Sequence, residues 1–385
     1  MRTNKKFHAR QLSGMNNKNK YILAVIAKRS YSFNADGKCY LIEAEKIVED
    51  IEVYSESNNL IDKDMDIYLY KPYTDIIVKG KARTASKTRQ FVSRVGIGNR
   101  SVEMLIIGNR KVYLDSSSQK LKFSDPEFIH EVPLRYDYAY GGVDIVAEKK
   151  LQQPPDEILK TLPSDVDWRE GNPFRYPRNP CGKGYIVEFN KSMIEQLELP
   201  NIEDVSNRLT TNNIITGSLD KWINMPLPVC TDWVSPIWFP RLTYFGFIHN
   251  PVDLSITPEE VKKGLADNNI MDNLPPQNKF NIRSANGASL GLQTPHLRGD
   301  EIITLENIHP TKTIFNIELP NDIPDIFVDG RKGKLKPTVP IIQTLVIRSD
   351  EKKIDIVWSG NAEAIRPYME EELKEMPFKV KWRLN

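Results

Sequence analysis

Phe91-Val-Ser-Arg-Val95 and Val102-Glu-Met-Leu-Ile-Ile107, with Gly96-Ile-Gly98-Asn99-Arg-Ser101 between them, decide how this chain is read. Both flanks are rich in β-branched and apolar residues, and Gly98-Asn99 supplies a turn pair. The segment therefore reads as a β-hairpin. The competing reading takes Gly96-Ile-Gly98 as the start of a phosphate-binding loop. It fails at Ser101, where a third glycine would stand, and the residues that follow read as strand. Without a helix N-terminus a phosphate would lack its amide donors.

The same signal recurs on both sides. Tyr21–Tyr31 is β-branched and aromatic, and Asp36-Gly37 marks a turn before Tyr40-Leu-Ile42. Lys46–Tyr54 alternates in part, Asp75–Gly80 is strand-like, and Gly108-Asn109 turns into Lys111–Leu114. Toward the C-terminus come Glu301–Leu305, Thr313–Glu318 and Ile326–Val328, with Asp329-Gly330 as a hairpin turn. Pro340–Ile347 and Lys353–Trp358 pair around Ser349-Asp350-Glu351. A helical stretch near Tyr368–Glu375 and a strand over Phe378–Arg383 follow. Short strands at this spacing predict a mainly β chain with a minor α+β character, built as an antiparallel sandwich or barrel-like sheets.

Residues 132–300 differ. Prolines interrupt them repeatedly, and Trp168, Trp222, Trp233 and Trp238 all fall here. Aromatics supply burial that a disordered linker lacks, so this is an ordered, loop-rich layer over the sheets. Thr257, Pro258 and Glu260 predict a capped helix to about Asp267. Pro155–Leu162 and Lys191–Leu197 are shorter helical candidates. Residues 1–19 are expected to be a flexible N-terminus and 20–385 a single β-rich domain; the alternative is a split near 130.

Composition narrows the function. Fifty-three basic and 51 acidic side chains give a formal charge of +2, so no global field holds nucleic acid or an anionic membrane. Lys79–Arg83 and Arg331–Lys336 are basic runs read as solvated strand edges. Cys39, Cys181 and Cys230 lack disulfide or zinc spacing and fit a reducing cytoplasm. The apolar run Ile22–Ala27 ends in Lys28-Arg29 with no cleavage-type residues, so it does not read as a signal peptide, and no stretch is long enough for a membrane span. His296, Asp300, Glu301 and His309 match no metal-ligand spacing. No catalytic constellation, metal or cofactor is assigned.

Two irregular stretches remain, Val132–Gly142 and Tyr176–Tyr185. The first carries Arg135, Tyr136, Tyr138, Tyr140, Gly141 and Gly142; as a strand it would put the three tyrosines on one face. The second carries Arg178 and Asn179 between prolines, a composition that holds a loop rigidly against another backbone, its own or a partner's. Arg298-Gly-Asp300-Glu301 reads as a turn in which arginine and carboxylates pair with each other or with nearby amides. Tyrosine and arginine also dominate interface energetics.

These stretches, with Asp75–Ala82, Leu199–Glu203, Trp238-Phe-Pro-Arg241 and Leu297–Glu301, occur in an order that resembles domain-of-unknown-function family 2169 over roughly 20–345. The chain departs from it at Tyr140, where a Phe is usual, and in the Leu-Thr-Tyr-Phe-Gly that follows Arg241. Members of that family are found beside type VI secretion genes. The resemblance implies a cytoplasmic adaptor or chaperone, without enzymatic activity, that brings a secreted effector to the secretion spike, often one with a PAAR-type tip domain. Arg135, Tyr136, Tyr140, Gly141, Gly142, Arg178, Asn179, Arg241, Arg298, Asp300 and Glu301 are then expected to form the partner groove or its scaffold. The rival expectations are a hydrolase-like or effector-modifying enzyme, with carboxylates near Asp300, Glu301 or Glu203, and a secreted component of the spike itself.

Overall fold

The computed structural model describes every residue except 1, 5, 17–19, 56–59, 161–171, 173, 246–281, 332 and 383–385. The helix expected from Thr257 and the residue Trp168 lie outside the described residues. The chain is mainly β, as its turn spacing predicts, and among the described residues no sheet closes into a barrel.

The larger sheet has eight strands. Its path runs Arg2–Asn4, Phe7–Met15, Tyr21–Phe33, Lys353–Glu363, Ile341–Arg348, Thr74–Lys79 and Gln293–Thr294, with Cys39–Leu41 added on Tyr21–Phe33. Tyr21–Phe33 pairs with Lys353–Glu363 over eleven positions, from Lys353↔Ser32 to Glu363↔Ile22, so the two ends of the chain share one sheet. Among the described residues of this sheet, only the Ile341–Arg348 and Thr74–Lys79 pair is parallel. Ile22 to Ala27 are all buried, which explains a continuous apolar run where one-sided burial would give alternation.

The second sheet has five antiparallel strands in the order Ile202–Asp204, Arg100–Ile107, Gln90–Ile97, Ile302–Glu306 and Ile314–Glu318. Its centre is the hairpin read from sequence, closed with Ile97 opposite Arg100. Side chains of both sheets, among them Leu23, Ile76, Val95, Met104, Ile303 and Ile356, belong to one apolar core. A second core gathers Tyr140, Tyr176, Tyr185, Leu199 and Trp222 inside the loop layer.

Several expectations need correction. The expected flexible N-terminus is not free over residues 7–15: Phe7–Met15 pairs with Tyr21–Phe33, and the Gln11 amide donates to Met376 O at 2.7 Å. Only Glu52–Val53 of the expected Lys46–Tyr54 strand is a strand. Val48 is held there by Asp66, whose carboxylate accepts its N–H at 2.8 Å and whose own N–H donates to Val48 O, so a side chain occupies the place of a neighbouring strand. Asp329-Gly330 is not a two-residue hairpin, because Pro324–Val328 pairs with Lys336–Pro337 across a longer loop. No helix among the described residues is long and apolar enough to cross a membrane.

Two histidines give the fold a pH dependence. His309 stacks on Phe315 with ring centroids 4.1 Å apart, and His296 lies edge-on to Tyr70. Burial lowers the pKa of both; at His309 the cations Lys352, Lys312 and Arg83 lower it further against an opposing Asp350, and at His296 the Ile342 carbonyl opposes the shift. A histidine with a lowered folded pKa is neutral in the fold and protonates more readily unfolded. Its contribution is whole above its unfolded pKa of about 6.5 and is lost as pH falls through the folded value. Melting temperature is therefore expected to fall from about pH 7 to pH 5, with a shallower slope in His309→Gln. A flat profile in both proteins would refute this.

Candidate functional site

The two irregular stretches fold onto each other. Val132–Gly142 is not a strand through its tyrosines: Val132 and Pro133 end the strand Ile129–Pro133, Tyr136–Tyr138 forms a 3-10 turn, and Tyr140–Gly141 is a short strand paired in parallel with Lys183–Gly184. The turn closes because Ala139 N–H donates to Tyr136 O and the Arg135 guanidinium grips Asp137 through two bonds of 3.1 and 2.6 Å. Arg135 also lies 4.6 Å from the Tyr54 ring centroid.

Asn179 is the pin between the stretches. Fully buried, it donates from Nδ2 to Tyr136 O at 2.8 Å and to Tyr140 O at 3.1 Å. Its own carbonyl accepts from Gly142 N at 2.8 Å. Tyr176 N–H donates to Gly142 O and Tyr185 N–H to Gly141 O. The backbone gripped by this proline-stiffened loop is the chain's own.

Aromatic rings fill the space beneath. Tyr140 and Tyr176 centroids are 5.1 Å apart, Tyr176 and Trp222 6.2 Å, Trp222 and Phe239 5.3 Å, and Tyr136 and Trp238 5.5 Å. Burial drives the pKa of Tyr136 and Tyr140 well above the ordinary phenol value, so both stay neutral. Arg178 lies over Trp222 at 5.2 Å and donates to Ile223 O at 3.1 Å.

Arg241 joins this layer to the loop 64–68 that precedes the Thr74–Lys79 strand. Its guanidinium is 2% exposed, pairs with Asp64 at 2.7 Å, and donates to Ser284 O, Val234 O and the Tyr68 hydroxyl. Nearby, Asp75 accepts from Lys71, from the Asn286 side chain and from the backbone of Gly287 and Ala288. Lys28 pairs with Asp66 at 2.7 Å, and Asp232 accepts from Tyr54 at 2.9 Å while burial raises its pKa. Sequence reading missed this buried ionic network. The available signal was a charge embedded in an apolar run, as Asp75 stands before Ile76-Ile77-Val78 and Lys28-Arg29 after Ile22–Ala27.

Tyr136, Arg178 and Arg241 come together in the wall of one cleft of about 270 Å3, with Trp222, Leu227 and Phe239 beside them. Arg298, Asp300 and Glu301 are not part of it. They form a separate turn in which Glu301 accepts from the N–H groups of Arg298 and Gly299 at 2.7 and 2.9 Å, while Arg298 faces Asp300 at 3.3 Å. Glu203 is buried against Arg110. The loop pair, the cleft and the 298–301 turn all lie within residues 18–359, the span matched by the family model described as an uncharacterized protein conserved in bacteria (DUF2169). The chain belongs to the DUF2169 family. No curated protein and no solved structure matches it. In this DUF2169 member the two most idiosyncratic stretches build the scaffold; Tyr136, Trp222 and Arg241 are buried behind the cleft wall, and Arg178, Leu227 and Phe239 are its accessible part.

Proposed function

We propose that this DUF2169 protein is a cytoplasmic adaptor or chaperone that binds a type VI secretion effector, one with a PAAR-type tip domain, and helps load it onto the secretion spike. The observation that carries the reading is the cleft. Its accessible wall sets Leu227 and Phe239 beside Arg178, apolar and guanidinium groups of the kind found in protein interfaces, over buried Tyr136, Trp222 and Arg241 and on a scaffold already fixed by Asn179. An apolar side chain of the effector is its occupant. The motif order shared with family 2169 supports the secretion context.

Co-expression with the effector encoded beside it tests this. The effector is expected to become more soluble and to co-purify with the adaptor. Leu227 lines the cleft and is 37% exposed, so Leu227→Glu should reduce capture without unfolding the protein. Unchanged effector solubility with no complex would overturn the adaptor reading, and full capture by Leu227→Glu would remove the cleft from it.

A further inference from the structure

Arginines that this fold withdraws from water are matched with carboxylates: Arg110 with Glu203, Arg175 with Glu148, Arg241 with Asp64, Arg348 with Asp355. Arg178 departs from that pattern. It is half-buried in the wall of the apolar cleft, yet no carboxylate among the described residues lies within ion-pairing distance of it. We propose that the cleft takes a partner segment in which a bulky apolar side chain stands next to an aspartate or glutamate, and that Arg178 reads the carboxylate. The proposal deepens the adaptor reading and rests on it only for which protein supplies the segment.

The guanidinium is fixed in advance. Its Nη1 donates to Ile223 O at 3.1 Å and to the Tyr176 hydroxyl at 3.3 Å, and the group lies 5.2 Å from the Trp222 ring centroid. The backbone on both sides is held as well: Asn179 is pinned to Tyr136 O and Tyr140 O, and Pro177 O accepts from Phe239 N at 2.9 Å. With Nη1 engaged, the Nε and Nη2 edge is left without an acceptor among the described residues, and neither nitrogen is enclosed by protein. That edge presents two parallel N–H groups, the fork that a carboxylate meets with both oxygens.

The cleft supplies the second ground. Its volume of about 270 Å3 beside Leu227 and Phe239 has room for one bulky apolar side chain. An occupant that fills it takes the outer edge of Arg178 out of water, and a guanidinium stripped of water without a counter-ion is costly. A purely apolar occupant incurs that cost; a carboxylate beside the apolar group removes it. Glu103 is the only carboxylate in the cleft wall among the described residues, and it lies 3.8 Å from Arg94 and beyond ion-pairing reach of Arg178. A side-chain carboxylate fits better than a chain terminus. Terminal carboxylates are captured by clustered backbone N–H groups, and those of Asn179, Val234 and Phe239 already donate to Tyr176 O, Gly287 O and Pro177 O.

The probe is the peptide Gly-Ser-Phe-Glu-Ser-Gly, blocked at both ends and followed by saturation-transfer NMR against the full chain. One comparison peptide replaces Glu by Gln; another, Gly-Ser-Gly-Ser-Phe, carries its carboxylate only at a free C-terminus. The Glu peptide is expected to bind roughly ten-fold more tightly than either. In Arg178→Gln the Glu and Gln peptides should bind alike, whereas a variant that merely loosened the loop would weaken both and keep their ratio. Equal binding of the Glu and Gln peptides to wild type requires no variant to fold and would overturn the proposal. So would no binding by any peptide, a ratio that survives in Arg178→Gln, or a free C-terminus that binds as well as the Glu peptide. An intact ratio in a protein that captures no effector would uphold the site and count against the adaptor reading alone; effector capture without the ratio would do the reverse.

Discussion

Arg241→Met is expected to cost about 3–5 kcal/mol of folding stability, because the variant leaves Asp64 charged and buried with its partner gone. The size of the effect follows from where the guanidinium sits. Asp64 is 1% exposed and Arg241 2%, so water cannot replace the lost ion pair. The same side chain satisfies the carbonyls of Ser284 and Val234, two separate parts of the loop layer, and orphaning both adds to the cost. Lysine is no substitute: a single ammonium cannot reach Asp64, Tyr68 and two carbonyls together. Denaturant unfolding of wild type, Arg241→Met, Asp64→Asn and the double variant measures the pair. Asp64→Asn should lose less than Arg241→Met, and the double variant should recover part of the loss, since a buried neutral amide needs no counter-ion. Arg241→Met within about 1 kcal/mol of wild type would mean that the network contributes little.

What sequence shows of this protein and what it hides follow from the same physics. The 91–107 hairpin was legible because its turn residues and its apolar flanks make one local statement, which the register from Arg100↔Ile97 to Ile107↔Gln90 repeats. Tyr136, Tyr138 and Tyr140 were misleading, because period-two spacing looks like a strand when the Arg135–Asp137 grip closes the chain into a turn. Tyr136 and Tyr140 are buried. Lys28 and Arg29 read as the end of an apolar run. The strand expected over Tyr21–Tyr31 does run through both, to Phe33, but Lys28 is buried against Asp66 and Arg29 against Asp322 and the Trp382 ring. Partners 38 and 293 positions away leave no local trace, so a buried charge looks like a surface charge.

Gly141→Ala is the second change expected to have a large effect, and it acts on the scaffold without touching a charge. Gly141 has φ +149°, a backbone conformation that L side chains rarely adopt, and a Cβ there would stand 2.1 Å from the Asn179 carbonyl oxygen. That oxygen cannot move freely, because it already accepts from Gly142 N at 2.8 Å, and Asn179 is itself pinned to Tyr136 O and Tyr140 O. Strain and overpacking of about 1–3 kcal/mol each give an expected loss of roughly 2–6 kcal/mol. Gly98→Ala is the internal comparison. Gly98 also has positive φ, +55°, but no atom lies within 4 Å of its Cβ position, so only the conformational cost of about 1–2 kcal/mol applies. If contact with Asn179 sets the penalty, the two variants separate in denaturant midpoint. Gly141→Ala should also lose near-UV signal from the ring cluster around Tyr140, Tyr176 and Trp222 and bind effector more weakly, while Gly98→Ala keeps both. Equal midpoints would show that the loop pair yields at Asn179, and the cleft would then have no rigid wall on which to seat a partner.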